Sequence, residues 1–223
     1  AVRYVVEAAK SEIISGRGIK PVSNPDHFVA VRRKEFTHFF SAIDAFTGTP
    51  RVESVRTIPV KNKNLFAGAI QYTDGSKGWL LINYSNEPEK PVTDGNISLQ
   101  GRMAYSEQDK DGKLTRAVYV GAGGEAVMGK EINIAADGPC MVLADRYADG
   151  FYTVQNVHNR GAGGVTVELP LSLPAGARQY TTDEKGRRTG SGTVLPSPAA
   201  NGRVKIPLKN FNRHELSANP KGI

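Results

Sequence analysis

Hydrophobic and polar residues alternate along most of this chain. In Phe28-Val-Ala-Val-Arg-Arg33, Phe28, Ala30 and Arg32 fall on one side of an extended strand and Val29, Val31 and Arg33 on the other. The next stretch, Glu35-Phe-Thr-His-Phe-Phe-Ser-Ala-Ile43, is rich in the residues that fill pleated surfaces. Further strand-like apolar runs occupy Leu65–Thr73, Trp79–Tyr84, Ile97–Tyr105, Leu114–Val120, Met141–Ala144, Phe151–Val157, Val165–Leu169 and Val204–Leu208. One segment reads differently. Val2, Val5, Val6, Ala9 and Ile13 recur three or four apart, which predicts a short amphipathic helix over Val2–Ile14 ended by Ser15-Gly-Arg-Gly18.

Turn dipeptides separate the strands. Asp-Gly occurs at 74–75, 94–95, 111–112, 137–138 and 149–150, and Asn-Gly at 201–202. Such pairs favour tight turns because glycine, and to a lesser degree Asp or Asn, tolerates positive φ. Their irregular spacing suits an antiparallel meander or sandwich better than a propeller or solenoid. With no further amphipathic helix after Ile14, alternating β and α units are not expected. The predicted fold is all-β: an antiparallel β-sandwich over residues 21–223, preceded by an N-terminal helix or connector over residues 1–20. The composition shifts near Asn159-Arg-Gly-Ala-Gly-Gly164, but the remaining tail is too short for a sizeable core of its own, so one continuous sandwich is expected.

Composition narrows the class without naming a reaction. In 223 residues, 39% are hydrophobic and 23% charged, which argues against wholesale disorder. No apolar run approaches the ~20 residues a membrane helix needs, so no membrane partner is expected. The chain as given does not start with the pattern of a signal peptide. The lone Cys140 rules out an internal disulfide and a Cys-x-x-Cys metal site, and it reads as a small buried hydrophobe after Pro139.

Motifs with chemistry are sparse. Gly121-Ala-Gly-Gly124 and Gly161-Ala-Gly-Gly164 lack the ending of a phosphate loop and read as loop geometry. Asp109-Lys-Asp-Gly112 opens like a calcium loop, but the closing position is Val120, so a hairpin tip is expected. The four histidines, at 27, 38, 158 and 214, show no spacing that would place two ligands on one face, and neither metal nor cofactor is expected. There is no Gly-x-Ser-x-Gly elbow. Paired carboxylates cannot be recognised from spacing, and Glu35, Asp44, Glu53, Asp145 and Glu168 carry no special weight.

Charge is the more useful signal. Lys+Arg number 29 against 22 Asp+Glu, a net charge of +7. The cations are scattered, as at Arg32-Arg33-Lys34, Lys61 and Lys63, Lys185-Gly-Arg-Arg188, and Lys205 and Lys209. No zinc finger, RNP-type motif or recognition helix accompanies them, so nucleic acid is an unfavoured partner. An acidic polysaccharide fits better: its anionic groups pair with Arg forks and its sugar faces stack on aromatics. Candidate binding residues on this reading are Arg32, Arg33, His38, Trp79 and Tyr84, with Tyr72 as a further aromatic. Each aromatic reads first as an ordinary strand residue, and His38, alternating with Phe36 and Phe40, reads first as a histidine bonded across strands.

The run Asp26-His-Phe-Val-Ala-Val-Arg-Arg-Lys-Glu-Phe-Thr-His-Phe-Phe-Ser-Ala-Ile-Asp44 resembles the first strands of the β-sandwich that follows the helical toroid in polysaccharide lyases. The heparinase II/III-like enzymes are the nearer branch and the hyaluronate/chondroitin lyases the second. Gly101–Tyr105, Asp111–Gly121, Ile132–Leu143, Asp149–Val154 and Val165–Pro170 are similar to the later strands. The segment Thr47–Lys63 departs from the hyaluronate-lyase pattern. The resemblance implies a secreted or periplasmic protein acting on acidic glycans by β-elimination. It also implies a partner helical domain or subunit that holds the catalytic groups, so no catalytic residue carries over to this chain. Whether the chain is itself enzymatic stays open. The alternatives are a free-standing carbohydrate-binding module, a glycosidase with unrecognised carboxylates, and a structural or adhesion domain. For the module, Trp79 and Tyr84 have opposite parity, which counts against one flat platform.

Overall fold

The structure is a computed structural model that describes residues 2–7, 11–17, 27–33, 40–121, 123–128, 132–147, 152–157, 165–170, 176–183, 185–200, 202–208 and 213–217. Every regular element among them is a strand. In chain order these are β1 (Val2–Val6), β2 (Ser11–Arg17), β3 (His27–Arg33), β4 (Ser41–Ala45), β5 (Val52–Ile58), β6 (Leu65–Tyr72) and β7 (Lys77–Asn83). Next come β8 (Val92–Thr93), β9 (Ile97–Leu99), β10 (Met103–Gln108), β11 (Leu114–Gly121), β12 (Gly124–Met128), β13 (Ile132–Ala136) and β14 (Cys140–Arg146). The last are β15 (Tyr152–Asn156), β16 (Val165–Pro170), β17 (Arg178–Thr182), β18 (Arg188–Val194), β19 (Arg203–Leu208) and β20 (Arg213–Ser217).

Among the described residues, ten strands form one sheet in the order β18-β17-β20-β15-β14-β11-β10-β7-β6-β5. Six form a second sheet, β19-β16-β13-β12-β9-β8. The two sheets face each other over one core in a sandwich-like arrangement. Leu81, Ala104, Tyr119, Val142 and Val154 from the larger sheet and Leu99, Met128, Ile134, Val167 and Ile206 from the smaller are fully buried in it. The strand β19 shows the governing pattern: Val204, Ile206 and Leu208 are buried while Lys205 and Pro207 are exposed. All pairings in both sheets are antiparallel, as the short turns require.

The chain passes from the larger sheet to the smaller through Gly121, Gly123 and Gly124. Gly123 and Gly124 have φ of +115° and +106°, in the left-handed region that glycine alone visits freely. Gly121 has extended backbone, but a Cβ there would lie 2.0 Å from the Tyr119 hydroxyl oxygen. That hydroxyl donates to the Gln100 carbonyl at 2.7 Å. The glycine cluster is thus a corner between sheets. The Asp-Gly pairs at 74–75, 94–95 and 111–112 sit in turns where Gly75, Gly95 and Gly112 have φ near +87°, +96° and +80°.

The expected N-terminal helix is not there. Val2–Val6 is a strand paired antiparallel with Ser41–Ala45, and Ser11–Arg17 is a strand paired with His27–Arg33. The valines and isoleucines read at helical spacing are β-branched, which favours extended backbone, and a short isolated helix carries the full nucleation cost. Val5 instead joins Phe40, Val52, Val55, Phe66 and Tyr72 in a second apolar cluster. Phe40 lies on Gly68, where a Cβ would come within 2.8 Å of the ring, and meets Phe66 edge-to-face at 5.5 Å. The β1–β4 ribbon therefore covers part of the larger sheet's outer face near β5 and β6. No helix among the described residues is long and apolar enough to cross a membrane.

Candidate functional site

The β6–β7 hairpin carries distinct polar groupings on its two sides. Its turn closes where the Tyr72 amide donates to the Ser76 carbonyl at 3.0 Å. Asp74 Oδ1 accepts from the Ser76 amide at 2.9 Å and from the Ser76 hydroxyl. These bonds, the hydroxyl first, hold the Asp74 carboxyl below the usual range.

On the inner side, cross-strand register sets Trp79 between Ala69 on β6 and Ser106 on β10, with Arg56 of β5 beyond Ala69. Both immediate neighbours are small, so the indole is not walled in. Trp79 is half-buried, packed against the main core on one side. On the other it opens into a recess of about 150 Å³ lined also by Ser54, Arg56, Gln71 and Lys77. Arg56 and Lys77 are exposed, and no acidic residue lines the recess. An aromatic face beside two cations and two uncharged polar side chains suits a sugar ring that carries an anionic group.

The outer side is organised around Glu107, which is 5% exposed. Glu107 Oε1 pairs with the Arg51 guanidinium. Tyr105 donates its hydroxyl to Glu107 Oε2 at 3.0 Å. The Tyr72 hydroxyl lies 2.9 Å from that of Tyr105 and 3.3 Å from the same carboxylate oxygen. Burial, reinforced by the Glu107 charge, pushes both phenols above their ordinary range. Arg51 also stacks over the Tyr72 ring at 4.8 Å, and its backbone amide donates to Asp44 Oδ2 at 2.7 Å. From Glu107 a single register row continues across the sheet through Arg116, Asp145, Thr153, Glu215 and Tyr180. In it Arg116 Nε donates to Asp145 Oδ1 at 2.7 Å, and Arg188 reaches Glu215 while stacking 3.9 Å over Tyr180.

Of the residues singled out in the sequence, Trp79 lines a recess. Tyr84 follows β7 and is 52% exposed, its amide bonded to the Asn64 carbonyl. Five residues of strand, roughly 16 Å, separate it from Trp79, and alternation turns the two to opposite faces. Arg32 and Arg33 lie in β3 opposite Glu12 and Ser11, in a two-stranded ribbon whose side chains are outside the described residues. His38 also lies outside them. Tyr72 is buried in the Glu107 network and offers no platform.

Most of the remaining candidates have structural employment. Asp44 caps the start of β5, accepting from the Arg51 and Val52 amides. Asp145 and Glu168 face Arg116 and Arg203. Asp109 Oδ1 accepts from the Asp111 and Lys113 amides and builds a hairpin tip. His214 is buried, its Nδ1 2.9 Å from Gln179 Nε2. Cys140 is buried, and desolvation pushes its thiol up to about 11, away from a reactive thiolate. Among the described residues no three His, Cys, Asp or Glu side chains gather as a metal site.

Sequence reasoning missed Arg56, Lys77, Arg51, Tyr105 and Glu107. Tyr105 and Glu107 share strand parity, a signal that was legible, but their partners come from distant strands. No family model matches the chain. No curated protein matches it significantly.

Proposed function

We propose that this chain is the non-catalytic β-sandwich portion of a carbohydrate-active protein that handles acidic glycans, of the polysaccharide-lyase kind. On this reading it accompanies a catalytic helical domain or subunit, works in a secreted or periplasmic setting, and holds the glycan rather than cleaving it. The observation that supports the reading is the Trp79 recess, where an indole face stands beside Arg56 and Lys77 with no acidic residue in the lining. The indole contributes area and a quadrupole to a sugar face, and the cations meet a carboxylate or sulfate.

Electrophoresis through gels containing polygalacturonate, heparin or chondroitin sulfate tests it. At least one of these is expected to retard the chain, and added salt to weaken the effect. Trp79→Ala is expected to reduce affinity about ten-fold, the loss of one well-stacked ring and its neighbours' alignment. Unaltered mobility in all three glycans would remove the binding half of the reading. An absorbance rise from unsaturated uronate, produced by this chain alone, would remove the non-catalytic half.

A further inference from the structure

The outer side of the β6–β7 hairpin has a recess of its own, with about 440 Å³ of space, lined by Arg51, Asp74, Ser76, Glu107, Asp109 and Lys110. That is within the range of small-ligand sites. We infer that this recess is a second sugar subsite, and that it takes the hydroxyls of a neutral sugar ring between Arg51 and Lys110 as donors and Asp74 and Asp109 as acceptors. The inference rests on the reading of this chain as a carbohydrate binder.

The hydrogen-bonding capacity left unused around the recess matches that ligand. Glu107 has both oxygens engaged, by Arg51 on one and the tyrosine pair on the other. Asp74 and Asp109 each spend Oδ1 on a hairpin tip, while Oδ2 accepts no hydrogen bond among the described residues. Arg51 spends Nη2 on Glu107, leaving Nε and Nη1 without an acceptor among the described residues, and its side chain is 54% exposed. Lys110 is exposed and forms no salt bridge among them. The free groups are therefore donors and acceptors of both kinds around one space.

Charge separates this recess from the one beside Trp79. Two cations face three carboxylates here, one of them already neutralised by Arg51. An anionic ring would gain little and would meet Asp74 and Asp109. A hydroxyl both donates and accepts, so a polyol uses every free group. The groups are also held in place beforehand. Arg51 is fixed by its stack on Tyr72, its Glu107 pair and its amide bond to Asp44. The two aspartates are fixed by tip amides at 2.8–3.0 Å. Such preorganisation reduces the ordering cost of binding.

The test is an amide-resolved NMR titration of the whole chain. The probes are cellotetraose, maltotetraose, mannotetraose and the N-acetylglucosamine tetramer, with tetragalacturonate as the charged comparison. At least one neutral tetrasaccharide is expected to shift the Ser76, Asp111 and Lys113 amides saturably. Asp109→Asn keeps the tip acceptor, and Arg51→Lys keeps a cation for Glu107. Each, like Lys110→Ala, is expected to weaken that binding about ten-fold, the worth of a hydrogen bond to a charged group. Lys90→Ala, an exposed lysine that lines neither recess, leaves it unchanged. If no neutral probe moves these amides, or if the shifts survive all three variants, the second subsite is wrong. Titrations with tetragalacturonate and with heparin and chondroitin tetrasaccharides that all leave the Trp79 indole unmoved count against the acidic-glycan reading instead, and the two failures are thereby distinct.

Discussion

On the inner side of the β6–β7 hairpin, Arg56 and Lys77 stand exposed beside Trp79, with no acidic residue lining their recess. On the outer side, Arg51 is bound to a buried carboxylate that two tyrosines also hold. Cations around the same hairpin thus have opposite employment: Lys77 on β7 and Arg56 on β5 line the inner recess, while Arg51, just before β5, reaches the outer carboxylate. An exposed cation in water costs the fold little and is free for a ligand. A buried carboxylate is tolerable only when its oxygens are satisfied, so Arg51 Nη2 and the two phenols are committed to structure, and Arg51 keeps only Nε and Nη1 for a neutral hydroxyl. The +7 net charge of the chain is therefore a poor guide to binding. What matters is which cations lack an acid on their own face of the sheet.

Removing Glu107 separates the two sides most strongly. Glu107→Ala leaves the Tyr72 and Tyr105 phenols with only each other and Arg51 without its acceptor, and is expected to lower unfolding free energy by about 2–3 kcal/mol. Arg51 is half-exposed and recovers part of its hydration, which keeps the loss below that of a fully buried pair. Arg56→Ala and Lys77→Ala are expected to stay within about 0.5 kcal/mol of the parent. Urea midpoints decide this, and equal losses on the two sides would break the contrast.

Alkaline titration sharpens it further. Tyr72 and Tyr105 have folded-state pKa values raised above the unfolded value of 10.0. For groups raised in this way, the stabilisation is complete below pH 10 and is lost as pH rises through the folded values. Tyr119 is raised as well, by burial. Tyr72, Tyr105 and Tyr119 are expected to ionise late, together with unfolding. The phenolate absorbance after a rapid pH jump reads this directly. The Tyr72→Phe, Tyr105→Phe double variant is expected to reduce the late fraction and the alkaline loss. An unchanged late fraction would mean that the outer network does not hold these phenols.

Much of this fold is written in local pattern. Alternation placed β6, β7, β11 and β14 to within a few residues, and the Asp-Gly pairs at 74–75 and 111–112 do close hairpins. The N-terminal segment misled because Val2, Val5 and Val6 satisfy helical spacing while their branched side chains suit a strand, and only the distant partner Ser41–Ala45 settles the choice. The apolar run Ile97–Tyr105 broke into β9 and β10 in different sheets, because Gly101 turns the chain with φ +155°. Strands such as β12, β17 and β18 were hidden by glycines and polar residues that ordinarily punctuate loops.

The candidate site was legible in one residue. Trp79 stood out by type and Lys77, two residues before it, shares its strand parity, but Arg56 could be assigned only once β5 lay beside β6 in register, across from Ala69. Glu107 needed Arg51, 56 residues earlier, and Tyr72, 35 residues earlier. No spacing rule connects residues that meet through sheet topology.

Trp79 is the only tryptophan in the chain, so its fluorescence reports from the proposed glycan recess without labelling. The direct measurement is a titration with acidic oligosaccharides, tetragalacturonate and heparin and chondroitin tetrasaccharides, followed by indole emission in the parent and in the Arg56→Ala, Lys77→Ala double variant. A saturable change in emission is expected with at least one of them, shifted to about ten-fold higher concentration in the double variant. An emission that stays constant with every acidic oligosaccharide, while unfolding in urea still shifts it, would mean that the Trp79 recess holds no acidic glycan.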